Sequence, residues 1–171
     1  MKKLLIPFFV LIISLNISSQ NGRNGPSLWE EIRANSNLNY DNTKPQIIEA
    51  LKKYDSHQYL INRLSKNGQR YLFYTVSEAL KRDLPVELSL IPFIESQFDP
   101  YAQSSTGASG IWQFIPSTAI ENGLKKNWWY DARRDIVAST EAAYNFLVKL
   151  HQEHDDWLIA IAAYNAGPSR V

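Results

Sequence analysis

A chain of 171 residues suffices for one domain, or for one domain with a short flank. A formal net charge of +1 gives no case for nucleic acid or another strongly acidic partner. The absence of cysteine excludes disulfides, thiolate metal sites, a thiol nucleophile and a lipidated N-terminal cysteine.

The first element in chain order is a targeting segment. Met1-Lys2-Lys3 is a positive start, Leu4 to Leu15 is almost wholly apolar, and Ser18-Ser19-Gln20 opens a polar stretch. This is the plan of a secretory signal peptide over 1–19, too short in its apolar run to span a bilayer as an ordinary helix. An uncleaved anchor is the competing reading. Residues 20–44 form an Asn-, Ser- and Gly-rich lead-in, with a short helix around Trp29 to Ile32. The stretch 45–84 is read as N-terminal helices flanking a catalytic domain over 85–171. Pro45 starts one helix, residues 57–66 a second that stops at Asn67-Gly68, and 69–82 a third that buries Leu72, Phe73, Val76 and Leu80.

The helix predicted over 86–97 is apolar nearly all round, which places it in the middle of a bundle, with a kink at Pro92. A polar loop with Gly107 and Gly110 follows, and Pro116 starts a short helix that Gly123 stops. A long helix covers 134–152 with Val137, Thr140, Tyr144, Leu147 and Leu150 on one face. The last runs from Asp156 to Asn165. No strand alternation, repeat, phosphate loop or metal-binding spacing is present, and His57, His151 and His154 read as solvated rather than metal ligands.

Within Ile91-Pro92-Phe93-Ile94-Glu95-Ser96, a lone carboxylate ends the most apolar helix. Burial disfavours its ionised form, so Glu95 is expected to hold its proton to higher pH, which suits a general acid for glycoside cleavage. The competing reading is a helix-end carboxylate paired with a base, yet no basic residue lies within a helical turn. A glycosidase pair would need a second carboxylate. Asp99 reads as a turn residue before Pro100, and Glu87 as a first-turn charge after Pro85. Three further segments stand out. Gln113, after the Gly107 to Gly110 loop, offers a donor and an acceptor suited to an acetamido or hydroxyl group. Tyr164 and Asn165 put two polar tips at a helix end, and Trp129 to Asp135 alternates charges as an ion network and helix start. The chain has 5 Trp and 9 Tyr, and Trp112, Trp128, Trp129, Tyr130, Trp157 and Tyr164 lie late. They fit either stacking on sugar rings or ordinary packing.

Glu95-Ser96, Gly107 to Gln113, Trp129 to Asp135 and Ala163 to Gly167 stand in the order and spacing of one family. Over about 70–171 the chain resembles the catalytic domain of the soluble lytic transglycosylase superfamily, related to goose-type lysozyme, in its membrane-bound D-type branch. The resemblance implies an all-α, lysozyme-like helical domain. It makes Glu95 the catalytic acid and base, and Ser96 a support for it on the substrate side. It makes Gln113 a contact to N-acetyl sugars, and Tyr164 and Asn165 the motif facing Glu95 across the cleft.

The implied reaction cleaves the bond between N-acetylmuramic acid and N-acetylglucosamine of peptidoglycan and closes a 1,6-anhydro ring. The implied partners are glycan strands of the exported cell envelope, met by a monomer, with no nucleic acid, metal or cofactor. Membrane contact comes only through the signal peptide or an uncleaved anchor. The chain departs from the pattern in two ways: no Cys follows the signal, and it stops at Val171 just after the Ala-Tyr-Asn motif. A fragment without its C-terminal helices is therefore expected. A muramidase on the same scaffold, a non-catalytic peptidoglycan-binding module and a helical anchor protein are the alternatives.

Overall fold

The computed structural model describes residues 27–38 and 58–167. The expected signal peptide, most of the lead-in, the helix from Pro45, His57, the side chains of Tyr59, Leu60, Ile61 and Leu64, and Pro168 onward lie outside the described residues. Those described are helical, with antiparallel pairing limited to isolated bridges at Gln103–Ser109, Ser109–Phe114 and Lys126–Asp131. The expected all-α class is the one observed.

Helix α1 (Leu28–Ala34) starts with a reciprocal cap: Ser27 Oγ accepts from Glu30 N–H, while the Glu30 carboxylate accepts from Ser27 N–H. It buries Ile32 against the core. Helix α2 (Gln58–Lys81) runs straight through Asn67-Gly68, where the sequence had suggested a stop. A single glycine inside a helix costs only about 1 kcal/mol relative to alanine, which packing readily offsets. Leu72, Thr75, Val76 and Ala79 form its inward stripe. Phe73 was expected there but points outward, because its neighbour Leu72 already occupies the stripe. The helix ends in a paired closure: Leu84 N–H donates to Ala79 O and Asp83 N–H to Leu80 O, with Asp83 left-handed at φ 52°.

The helix predicted over 86–97 is two elements. Val86–Leu90 is a 3-10 turn, and Ile91–Ser96 is helix α3. Pro92 therefore does not kink a helix interior. It sits in the first turn of α3, where its missing N–H has no partner to lose. The 3-10 turn is completely buried, as its all-round apolar pattern predicted. Glu87 is its first-turn acid, as read from the sequence, and it is fully buried. Its Oε1 accepts from Ser36 Oγ at 2.6 Å and from the N–H groups of Asn37 and Leu38 at 3.0 Å each. The segment after α1 is thereby strapped to the centre of the molecule.

Helix α4 (Pro116–Glu121) begins at proline and closes at Gly123, as the sequence indicated. Helix α5 (Ile136–His154) is capped by Asp135 and helix α6 (Trp157–Ala166) by Asp156, each carboxylate accepting from two N–H groups of its first turn. Thr140, Tyr144, Leu147 and Leu150 face inward as expected, whereas Val137 is exposed. The two helices form an antiparallel hairpin, across which His151 stacks on Trp157 with centroids 4.0 Å apart. His151 and His154 are half-buried rather than solvated, because α6 folds back over the last turn of α5. Tyr144 joins α5 to α2, its hydroxyl donating to Thr75 O at 2.6 Å.

Candidate active site

Helix α3 presents Glu95 in its last turn. The chain then reverses through two consecutive left-handed residues, Gln97 at φ 56° and Phe98 at φ 58°. Non-glycine residues pay roughly 1–2 kcal/mol each for that conformation. Phe98, almost fully buried, recovers part of it by apolar burial. Because of this reversal the following loop doubles back and lies beside Glu95.

That loop is held chiefly through its own carbonyl oxygens. Ser96 Oγ reaches Ile111 O at 2.9 Å as well as Pro92 O at 3.0 Å. Gln113 Nε2 donates to Gly110 O at 2.8 Å and Ala102 O at 3.2 Å. Tyr164 OH donates to Trp112 O at 2.9 Å. The buried Arg133 guanidinium donates to Gly107 O at 2.8 Å and Phe114 O at 3.2 Å, while its other edge pairs with Asp131 in bidentate fashion. Asp131 and Arg133 thus form the ion network expected there, and Asp135 supplies the helix start. Gly110 lies against the same segment: at φ 82°, an added Cβ would fall 1.7 Å from Arg133 O. Only glycine fits.

The result is a cleft of about 270 Å³. Glu95, Gln113, Tyr164 and Asn165, which the sequence placed far apart, line it together. Ser96 is not among the lining residues. Its hydroxyl donates to two carbonyls, Pro92 O within α3 and Ile111 O of the loop, and so ties the two together. Gln113 sits left-handed at φ 50°, and no donor among the described residues meets its amide oxygen. Burial pushes the Tyr164 phenol well above its ordinary range, and the neighbouring charge of Glu95 adds to the effect.

Ser104, Thr106 and Thr118 add hydroxyls to the cleft, and Phe114 and Phe146 add apolar walls. The Ser104 to Thr106 run had stood out in sequence only as loop. Phe146 had no such signal, since it reaches the cleft from α5 by packing against Tyr164 at 5.6 Å. Among the described residues lining the cleft, Glu95 is the one carboxylate. Asp99 accepts from Tyr101 N–H at 2.9 Å, as a turn residue should, and Glu87 is buried beneath the strap.

Residues 75–171 match the transglycosylase SLT domain. The chain is 44% identical over 127 residues to membrane-bound lytic murein transglycosylase D of Escherichia coli K12, covering 74% of this chain and 28% of that protein. It is 34% identical over 91 residues to membrane-bound lytic murein transglycosylase F of Desulfosudis oleivorans, covering 49% of this chain and 19% of that protein. The chain therefore spans less than a third of the length of either relative. The match extends across more than half of the chain and falls on the segments that build the cleft, so the protein belongs to the transglycosylase SLT domain family.

Proposed function

We propose that the protein is a peptidoglycan lytic transglycosylase that cleaves the β-1,4 bond from N-acetylmuramic acid to N-acetylglucosamine. The observation that carries this reading is Glu95 as the one carboxylate among the described residues lining a cleft of amides, hydroxyls, aromatic rings and small apolar side chains. A hydrolytic pair needs two carboxylates, whereas an internal displacement needs one group that first donates and then accepts a proton. Glu95 gives its proton to the departing glucosamine oxygen as the bond to the muramoyl anomeric carbon breaks. The substrate's own acetamido oxygen stabilises the positive charge that develops. The Glu95 carboxylate then takes the proton of the muramoyl 6-hydroxyl as that oxygen bonds the anomeric carbon. The ring closes to the 1,6-anhydro form, no water is consumed, and Glu95 ends protonated again.

Gln113 offers its free amide oxygen to an N-acetyl N–H, and Asn165 and Tyr164 bound the opposite side. The names of the relatives support the substrate class. The reading puts the protein outside the cytoplasm, at the envelope, in keeping with the signal peptide expected over 1–19. Among the described residues no helix is long and apolar enough to cross a membrane.

The test is mass spectrometry of purified peptidoglycan digested by the protein. Anhydromuramoyl ends, one water lighter than hydrolysed ends, are expected. Glu95→Gln should lower their rate of formation by about 10²–10⁴-fold. Reducing muramic acid ends alone would identify a muramidase instead.

A further inference from the structure

The turn between α4 and α5 carries a second feature that the cleft does not use. Trp128 and Trp129 are 89% and 90% exposed, values at odds with the cost of leaving indole rings in water. They are not on a loose loop. Asn127 Oδ1 accepts from the N–H groups of Trp129 and Tyr130 at 2.9 and 2.8 Å, and Asn127 N–H donates to Tyr130 O at 2.8 Å. Ala132 N–H closes the turn on Lys125 O at 2.9 Å, and the Tyr130 hydroxyl is tethered to Asp135 at 3.0 Å. The backbone beneath both rings is therefore fixed before any ligand arrives, and aromatic side chains have few torsions left to lose.

Beside this turn lies a second cleft of about 320 Å³, to which Tyr130, Asn122, Asn145, Lys125 and Glu141 contribute. It shares no lining residue with the Glu95 cleft. Thr118 of α4 lines the first cleft, and Asn122, which follows that helix, lines the second.

Charge decides among possible occupants. From Glu121 to Glu141 the chain carries four basic and four acidic side chains. Two of the bases, Arg133 and Lys126, share one acid, Asp131. A surface built for anionic lipid or nucleic acid needs a basic excess, and none is present here. Flat apolar rings beside amides and paired charges suit an uncharged polyol with apolar ring faces.

We propose that Trp128, Trp129 and the adjoining cleft form a second binding site for a peptidoglycan glycan strand, one that retains the polymer while Glu95 acts on a neighbouring stretch. This rests on the peptidoglycan reading above for its ligand class, but not on the chemistry of Glu95. Two tethered contacts raise the effective concentration of polymer at the cleft without altering the turnover of a fragment too short to reach both.

The full chain carrying Glu95→Gln is cosedimented with purified peptidoglycan sacculi, with or without Trp128→Ala and Trp129→Ala. The alanine pair should weaken binding about tenfold, and a Trp128→Phe, Trp129→Phe pair should keep it within about threefold. Soluble N-acetylglucosamine oligomers should compete. With Glu95 intact, the alanine pair should turn over a soluble tetrasaccharide within about twofold of the unsubstituted rate. Unchanged sacculus binding by the alanine pair overturns the proposal. So does an equal loss of tetrasaccharide turnover, which makes the turn a prop for the catalytic cleft. A defect confined to vesicles of anionic phospholipid also overturns it. Since the binding measurement uses the Glu95→Gln protein, it stands even if no anhydro product is ever found.

Discussion

At the scale of single residues, the site depends on positions where one side-chain property is indispensable. Gly110 has no room for a methyl group, because backbone rather than a flexible side chain stands in the way. Gly110→Ala should therefore destabilise the protein by roughly 2–4 kcal/mol, read as a lowered urea midpoint. It should also reduce glycan cleavage, since the turn leads directly to Gln113. Asp131 and Asp135 make the same loop-and-helix junction sensitive to acid. Hydrogen bonds from Arg133 hold Asp131 below the ordinary value of 3.8, against the opposing effect of burial. The Ala138 N–H does the same for Asp135, helped by the Tyr130 hydroxyl and Val137 N–H. Below 3.8 the unfolded chain binds protons that the native carboxylates refuse, so stability falls as pH drops toward the lowered native values. Above about pH 5 both contributions are fully present. Thermal melts between pH 5 and 2.5 should show this loss, and Asp131→Asn should flatten the pH dependence while lowering stability at neutral pH.

At the scale of elements, most helix starts were legible because their chemistry is local. Pro116 and Asp156 announce themselves within a few residues of the helix they open, and α1 was expected around Trp29 to Ile32 from sequence alone. The split of 86–97 was not legible. A buried 3-10 turn and a buried helix share the same apolar pattern, and the choice between them is made by Pro92 and by packing against α2. Nor was the continuity of α2 through Gly68, since a glycine that stops one helix is tolerated inside another when the flanking stripe is well packed. Asp135 gives the most direct test at this scale. Its carboxylate accepts from Val137 and Ala138 N–H at 2.9 and 3.0 Å. Asp135→Ala should cost about 1 kcal/mol in urea unfolding. Because the same residue tethers Tyr130, sacculus binding should weaken along with stability.

At the scale of the whole molecule, Glu87 joins parts of the chain some fifty residues apart. Its Oε1 gathers three donors from Ser36 to Leu38, and its Oε2 is buried without a hydrogen-bond partner among the described residues. Glu87→Gln keeps an oxygen for the three donors and should preserve the fold. Glu87→Ala should lose roughly 2 kcal/mol and open the 36–38 segment to limited proteolysis. No sequence signal pointed to this link, because a buried carboxylate serving a distant backbone looks the same in sequence as an exposed one. The composition of the cleft was more legible: Glu95, Gln113, Tyr164 and Asn165, singled out from their motifs, all line it. Phe146 and the supporting role of Arg133 needed the fold, since each acts through a contact with a residue far off in the chain.

The bonds that shape the cleft wall end largely on main-chain oxygens, at Ala102, Gly107, Gly110, Ile111, Trp112 and Phe114. Such fastening is indifferent to which side chains the wall displays. Thr118 faces the cleft from outside these anchoring points, so its identity is free to drift while the groove keeps its form, whereas Ser104 Oγ accepts from Ala108 N–H at 3.0 Å and pairs with Thr106 Oγ1 at 2.9 Å as part of the fastening. The scaffold thereby separates what a descendant must inherit from what it can revise, and a new ligand preference becomes reachable by a single substitution that leaves the architecture intact.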